Sequence, residues 1–324
     1  MAKPVYFSVV VEWENILLAE DDRCLRMLDA LDHQFAEYDE PGEVIVLCNP
    51  AVIAPGAIEE ILRRRLTVLN GRDPELIRVE EAPEQRYFAL KIEGARRANG
   101  DVLIFLDSDV IPEAGWLENM LRPFCENSAV NVVAGQTYLD ADSFISRAFA
   151  LGWIFPLRNP DNTLREGMGF YANNIAIRSS LFSRYPFPTM PEGTTRGACL
   201  LLAEQLREAG ITIWQQNGAR LSHPVPNGWR HISLRALAHG RDNVMLRSEN
   251  MRHRFRGVWL NFRWCVHRVL INAQRLVRER RAVGMAVWEV PFAWLLMTGF
   301  HGFAMVAGVV TAVFPGYARR AWQI

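Results

Sequence analysis

Five consecutive apolar residues, Val102-Leu103-Ile104-Phe105-Leu106, run straight into Asp107-Ser108-Asp109. The run is too short for an ordinary helix, and its bounding Gly100 and Pro112 mark it as a strand buried on both faces. Such strands build open α/β sheets, whose ligands gather beyond the carboxyl ends of the strands. Two carboxylates one residue apart at that end offer hard oxygen donors to Mg²⁺ or Mn²⁺, shared with the phosphates of a ligand. The same turn also suits a plain capping role for Asp109 or Ser108, ahead of a helix expected over 113–124.

The flanks narrow the choice. Tyr87-Phe88-Ala89-Leu90-Lys91-Ile92-Glu93-Gly94-Ala95-Arg96-Arg97-Ala98-Asn99-Gly100 leads into the strand, and Gly115-Trp116-Leu117 follows the acidic turn. A helix with a basic residue and a small glycine, then A-x-G-D, an apolar strand, D-x-D and P-x-x-G-W-L: in that order the segment resembles the family 2 glycosyltransferases. The resemblance runs over residues 5–225. It implies an α/β GT-A fold, a Rossmann-like mixed sheet flanked by helices. It also implies an inverting, hexosyltransferase-like enzyme that moves a sugar from a nucleotide-diphospho-sugar to a hydroxyl acceptor. Asp107 and Asp109 would then hold the divalent cation, with Ser108 beside the nucleotide.

Carried over residue by residue, the resemblance assigns further positions. Lys91 stands where the family has an arginine facing the diphosphate, and Gly94 matches the glycine one turn later. A cation there offsets phosphate charge, and a missing side chain admits a ligand. The family's P-T-Y-N after the first strand becomes Glu12-Trp13-Glu14-Asn15, where only the asparagine agrees. Trp13 is expected to stack on a base or to sit half-buried at a strand end, and Glu12 or Glu14 to accept from base or ribose. After the second strand the family's paired aspartates fall on Cys48 and Asn49, which leaves Asn49 as the polar group near the base. Asn173 or Asn174 lies in a segment similar to the acceptor-side G-x-N-x-A-x-R, as a sugar ligand or as a turn residue. His223 stands where some relatives offer a histidine to metal or diphosphate, and Arg235 and Arg241 either cover phosphates or are solvated. The main departure is the family's E-D pair, which falls on Ala198 and Cys199. Glu192 is the nearest upstream carboxylate to serve as general base, while Glu204 lies downstream on the wrong face. Loss of that pair keeps open a non-catalytic, nucleotide-sugar-binding or scaffolding member of the same fold.

Strand and helix alternate through the first half. Strands are expected over 5–11, 43–47, 66–69, 76–79, 130–139, 211–214 and 219–223; helices are expected over 21–35, 55–65, 83–98, 142–153 and 231–247. The expected domains are 1–230 for the glycosyltransferase fold, 231–285 for a basic helical neck, and 286–324 for a hydrophobic membrane segment. Net charge is zero overall, yet residues 241–285 hold eleven arginines against three carboxylates, a local balance of +8. A basic neck on an acidic body argues for anionic lipid and against nucleic acid. From Gly257 the apolar positions Val258, Phe262, Val266, Val269, Ala273, Leu276 and Val277 recur at helical spacing with arginines between them, suiting a membrane surface or packing on the catalytic domain. Residues 290–318 then carry no Asp, Glu, Lys or Arg, which suits a single span or a re-entrant hairpin bending near Gly299. Five cysteines without paired spacing fit a reducing compartment, and no export signal is expected ahead of the first strand. The expected location is the inner (plasma) membrane with the catalytic part on the cytoplasmic side. The expected acceptor is a saccharide or a lipid-linked saccharide, as in envelope polysaccharide biosynthesis.

Overall fold

The computed structural model describes residues 6–17, 22–83, 87–191, 194, 196–246 and 251–322. In chain order these form β1 (Phe7–Glu12), α1 (Arg23–Glu37), β2 (Gly42–Cys48), α2 (Pro55–Arg65), α3 (Thr67–Arg72), β3 (Ile77–Glu81), α4 (Tyr87–Arg97), β4 (Val102–Asp107) and β5 (Ile111–Pro112). Next come α5 (Trp116–Glu126), β6 (Val132–Leu139), α6 (Phe144–Gly152), β7 (Leu164–Gly167), β8 (Asn174–Arg178), α7 (Ser179–Arg184), α8 (Ala198–Glu208) and β9 (Ile213–His223). Four helices close the chain: α9 (Gly228–Met245), α10 (Met251–Arg278), α11 (Val290–Val313) and α12 (Pro315–Ala321). The chain divides into two compact units, one of Met1–Thr137, Arg158–Pro188 and Ala198–His223, the other of Tyr138–Leu157, Thr189–Gly197 and Pro224–Ile324.

In the first unit the described strands share one mixed sheet in the order β3-β2-β1-β4-β8-β6-β9-β5, with β7 on β9. The strands β1, β2, β3 and β4 pair in parallel, whereas β8 lies antiparallel to β4. Every residue of β1, β2 and β4 is buried, as their apolar runs require of strands covered on both faces. The core between the sheet and its helices holds Phe7, Val9, Val46, Ile104 and Leu106 with Met27, Leu28 and Leu31 of α1. Burying such side chains stabilises by about 1.5–3 kcal/mol each relative to exposure. Gly100 enters β4 where a Cβ would meet the backbone N of Ser8 at 2.5 Å, so no larger residue fits.

Three expectations change. Residues 67–69 belong to α3 and Leu66 precedes it, so 66–69 is not a strand; Asp32 of α1 accepts from Val68 N at 2.8 Å and from Thr67 Oγ1 at 2.7 Å, which caps that helix. The two strands expected over 211–223 are one, β9. The Asn- and Pro-rich stretch after α6 contributes β7, paired on β9.

The second unit is helical. Here α11 packs on α9, α10, α6 and α12, so the expected neck and hydrophobic segment lie together, with α6 inserted from the first half of the sequence. Close approach depends on Gly240 of α9, where a Cβ would lie 2.0 Å from the Ala304 carbonyl oxygen. Asn261 Nδ2 donates to that same oxygen at 3.0 Å. Arg241, fully buried, pairs with Asp242 at 2.7 Å and donates to Trp322 O, so it covers no phosphate. Arg235 donates to His231 Nε2 at 3.0 Å. The helix of residues 287–313 is long and apolar enough to cross a membrane by length and composition, at mean hydropathy 1.6.

Candidate active site

Parallel register sets Glu12 at the end of β1 directly against Asp107 at the end of β4. The chain then turns through Ser108 and Asp109 and comes back as β5, which pairs Ile111 with Ser222 and Pro112 with Leu221 of β9. That short pairing is what brings His223 beside the acidic turn. One donor atom each from Asp107, Asp109 and His223 lie within 4.8 Å of one another, all three buried. Two carboxylates and an imidazole form a donor set that suits Mn²⁺ well and Mg²⁺ acceptably. Next to them the Ser108 hydroxyl is fully buried with no hydrogen-bond partner among the described residues. An orphaned polar group in that place fits a site built for a ligand that supplies the missing bond.

The turn is held by residues on two helices. Lys91 is fully buried on α4, and its ammonium donates to Asp107 Oδ1 at 2.6 Å, Leu106 O at 2.9 Å and Ala172 O at 3.1 Å. All three ammonium protons are thereby committed, so the expected role facing the diphosphate is replaced by one as counter-ion to Asp107. One helical turn earlier, the Tyr87 hydroxyl lies 3.0 Å from both Asp107 oxygens, and its ring lies 5.1 Å from the Lys91 ammonium. Burial and the Asp107 charge push the Tyr87 phenol well above its ordinary range, which keeps it a donor. From α1, Arg23 Nε donates to the Asp109 carbonyl and Nη2 donates to Ser222 Oγ at 3.0 Å. Arg23 therefore ties the acidic turn to the strand that carries His223.

Glu12 is fully buried, and its Oε2 accepts from Glu14 N at 2.9 Å and Asn15 N at 3.4 Å. Burial first, then the neighbouring Asp107 charge, raises its pKa well above the usual carboxylate range, with Lys91 opposing. The bonds it makes to the chain are ones it accepts, which holds the turn after β1 in place. Glu14 instead receives the Tyr87 backbone N–H at 3.2 Å.

Other expected positions are structural. Trp13 lies in the core, its backbone N–H bonded to Leu47 O, so its ring is not free to stack on a base. Gly94 faces the sheet, where a Cβ would lie 2.4 Å from Val10 Cγ1 and 2.5 Å from Leu47 Cδ2; it lets α4 approach the sheet, not a ligand. Asn174, fully buried, accepts from Trp116 Nε1 at 2.9 Å and donates to Ala219 O at 3.1 Å, which commits its amide to the sheet core. Asn173 accepts from Thr137 Oγ1 at 3.1 Å. Asn49 accepts from Ala51 N at 3.1 Å and shapes the turn after β2. Ala198 and Cys199, where the carboxylate pair is expected, open α8. Glu192 lies outside the described residues.

Sequence reasoning missed Tyr87 and Arg23. Tyr87 stands four residues before Lys91 and so shares its helix face. Arg23 opens α1, where the helix dipole disfavours a cation, so a specific anchor was to be expected.

A model of the family described as "Glycosyl transferase family 2" matches residues 26–185. No curated protein matches the chain by sequence. Among solved structures the chain is similar to the mannosyltransferase PcManGT from Pyrobaculum calidifontis in complex with GDP-Man and Mn²⁺, at TM-score 0.54 and 15% identity, covering 97% of this chain and 88% of that one. It is also similar to GalNAc-T7 with UDP, GalNAc and Mn²⁺, at TM-score 0.51 and 13% identity over 73% of this chain. The match spans 48% of GalNAc-T7, about half its length. Likenesses at such low identity speak for the fold, which is GT-A. The matched stretch holds the acidic turn together with Tyr87 and Lys91 of α4, and the fold around it agrees: over residues 26–185 the chain matches glycosyl transferase family 2.

Proposed function

We propose that the chain transfers a glycosyl group, with inversion, from a nucleotide-diphospho-sugar to a hydroxyl acceptor. The observation that carries this reading is the buried Asp107, Asp109 and His223 cluster at the carboxyl edge of the sheet. Those three residues would hold Mg²⁺ or Mn²⁺, which supplies charge neutralisation for the departing diphosphate. Lys91 and Tyr87 fix the Asp107 carboxylate, and Arg23 fixes the turn against β9. Glu12 lies beside the cation site to meet base or ribose, and the buried Ser108 hydroxyl offers a donor. Glu192 is the base we assign: it takes the acceptor's hydroxyl proton while that oxygen bonds to the anomeric carbon and the bond to the diphosphate breaks. The acceptor is a saccharide or lipid-linked saccharide, and the work is done on the cytoplasmic side of the inner membrane, in polysaccharide biosynthesis.

A binding panel of UDP-, GDP- and dTDP-sugars, each with and without Mn²⁺, tests the donor class; absence of any metal-dependent binding overturns it. For the base, Glu192→Gln should lower turnover by about 10²–10⁴-fold with donor affinity kept. A fully active variant would remove Glu192. One observation favours a second reading, a non-catalytic donor-binding member: α8 opens on Ala198 and Cys199, which bear no carboxylate. Turnover, including slow hydrolysis of a bound nucleotide-sugar, separates the two.

A further inference from the structure

The helical unit exposes more apolar surface than a soluble bundle needs. On α10 one side is buried through Gly257, Asn261, Cys265, Asn272 and Leu276. A different side exposes Phe255, Trp259, Phe262, Val266, Leu270 and Val277, with Trp259 at 57% and Leu270 at 64%. Steps of four, three, four, four and seven keep these six along one stripe. Arg256, Arg263 and Arg278 are exposed along its margin. The neighbouring α11 exposes Phe292, Leu295, Phe303, Val306, Val309 and Val313, with no charged residue anywhere between Val290 and Val313. The Trp294 indole N–H, on α11, donates to the Val269 carbonyl of α10 at 3.3 Å, so the two apolar faces adjoin there. Continuous apolar surface rimmed by charge marks a docking face.

We infer that α10 and α11 form one in-plane seat for an anionic phospholipid bilayer, and that α11 lies along the membrane surface and does not cross it. This deepens the membrane part of the reading above and is independent of the donor site. Charge complementarity selects the occupant. Residues 241–285 carry a balance of +8, and the exposed arginines stand where lipid phosphates would lie once the stripe enters the acyl region. Packing decides the orientation. The inner side of α11 buries His301 and Thr311, and Asn272 of α10 lies 3.2 Å from the His301 ring. Val269 meets Trp294 while Asn261 meets Ala304, so α10 runs antiparallel alongside α11. A crossing α11 would therefore carry the exposed Arg263 of α10 into hydrocarbon. Lying flat, the unit leaves Arg263 at the interface, keeps Arg268 and Arg275 on the carbonyls of Gly152, Trp153 and Ala150 on the packed side, and buries both stripes. A second copy is the rival occupant, but like-charged margins would then oppose each other.

The test uses the full-length protein with vesicles of phosphatidylglycerol and phosphatidylcholine, against phosphatidylcholine alone. The parent should float with the anionic vesicles and at least tenfold more weakly with neutral ones. Leu270→Glu and Trp259→Glu, both on exposed α10 positions, should each lower flotation at least tenfold while circular dichroism and nucleotide-sugar binding stay at parent level. Donor binding thus reports separately on the proposed function. In cells, a fluorescent protein fused after Ile324 should glow and an alkaline phosphatase fused there should be inactive. Active phosphatase would establish a span and overturn the inference. Unchanged flotation of both α10 variants would assign insertion to α11 alone, and equal flotation on neutral vesicles would remove the electrostatic part; either result overturns the seat. Absence of flotation with a dimer that Leu270→Glu dissociates would assign the face to self-association instead.

Discussion

Lys91 is fully buried, and Asp107 meets its ammonium at 2.6 Å. Removing one member of such a pair strands the other. Lys91→Met should cost about 3–5 kcal/mol in urea unfolding, since the buried Asp107 loses its partner. Adding Asp107→Asn should recover much of that loss; no recovery would mean that packing, and not charge, sets the cost. Arg23 acts at one remove, through the Asp109 carbonyl and Ser222. Arg23→Met should weaken Mn²⁺ binding by about 10–100-fold, read by calorimetry, with the fold retained. Glu12 gives a pH signature. Burial and the neighbouring Asp107 charge hold its folded pKa well above the ordinary carboxylate range, so folding favours the protonated form. That contribution is fully present below the unfolded value and drains away as pH rises towards the folded one. Glu12→Gln, which keeps a neutral donor and acceptor, should flatten the fall in melting temperature as pH rises above the ordinary carboxylate range. A steeper fall in the variant would contradict the raised pKa.

At the scale of elements, what was legible followed from period and run length. Buried strands such as β1, β2 and β4 announce themselves as unbroken apolar runs, and the alternation with helices gives a doubly wound sheet. The acidic turn was legible because it closes such a run. Residues 66–69 were misread because four residues cannot tell a strand from a turn of helix. The decisive partner there is Asp32, 36 residues before Val68, which caps α3 from another element. Asp32→Ala should cost about 0.5–2 kcal/mol and melt α3 first, visible as lost hydrogen-exchange protection over 67–72. Equal protection in parent and variant would deny the cap. Trp13, Gly94 and Asn174 illustrate the other limit. Their places in the motif are legible, but whether a side chain turns to core or ligand depends on neighbours such as Val10, Leu47 and Trp116, brought in by the fold. Tyr87 and Arg23 act through a carboxylate and a carbonyl on β4 and its turn, contacts that no local pattern records.

At the scale of the molecule, a sheet unit supplies the site and a helical unit supplies the apolar face. Keeping α11 out of the bilayer core keeps the exposed Arg263 of α10 out of hydrocarbon, a cost of about 2.5–3.5 kcal/mol on insertion scales. The sheet unit's central feature is the meeting of Asp107, Asp109 and His223 through the β5–β9 pairing. The direct measurement is calorimetry of nucleotide-sugar binding with and without Mn²⁺, on the parent and on Asp109→Ala, folding being checked by circular dichroism. The parent should bind a donor only when Mn²⁺ is present, and Asp109→Ala should lose at least about tenfold in that affinity. Undiminished Mn²⁺-dependent binding by a folded Asp109→Ala would contradict the site.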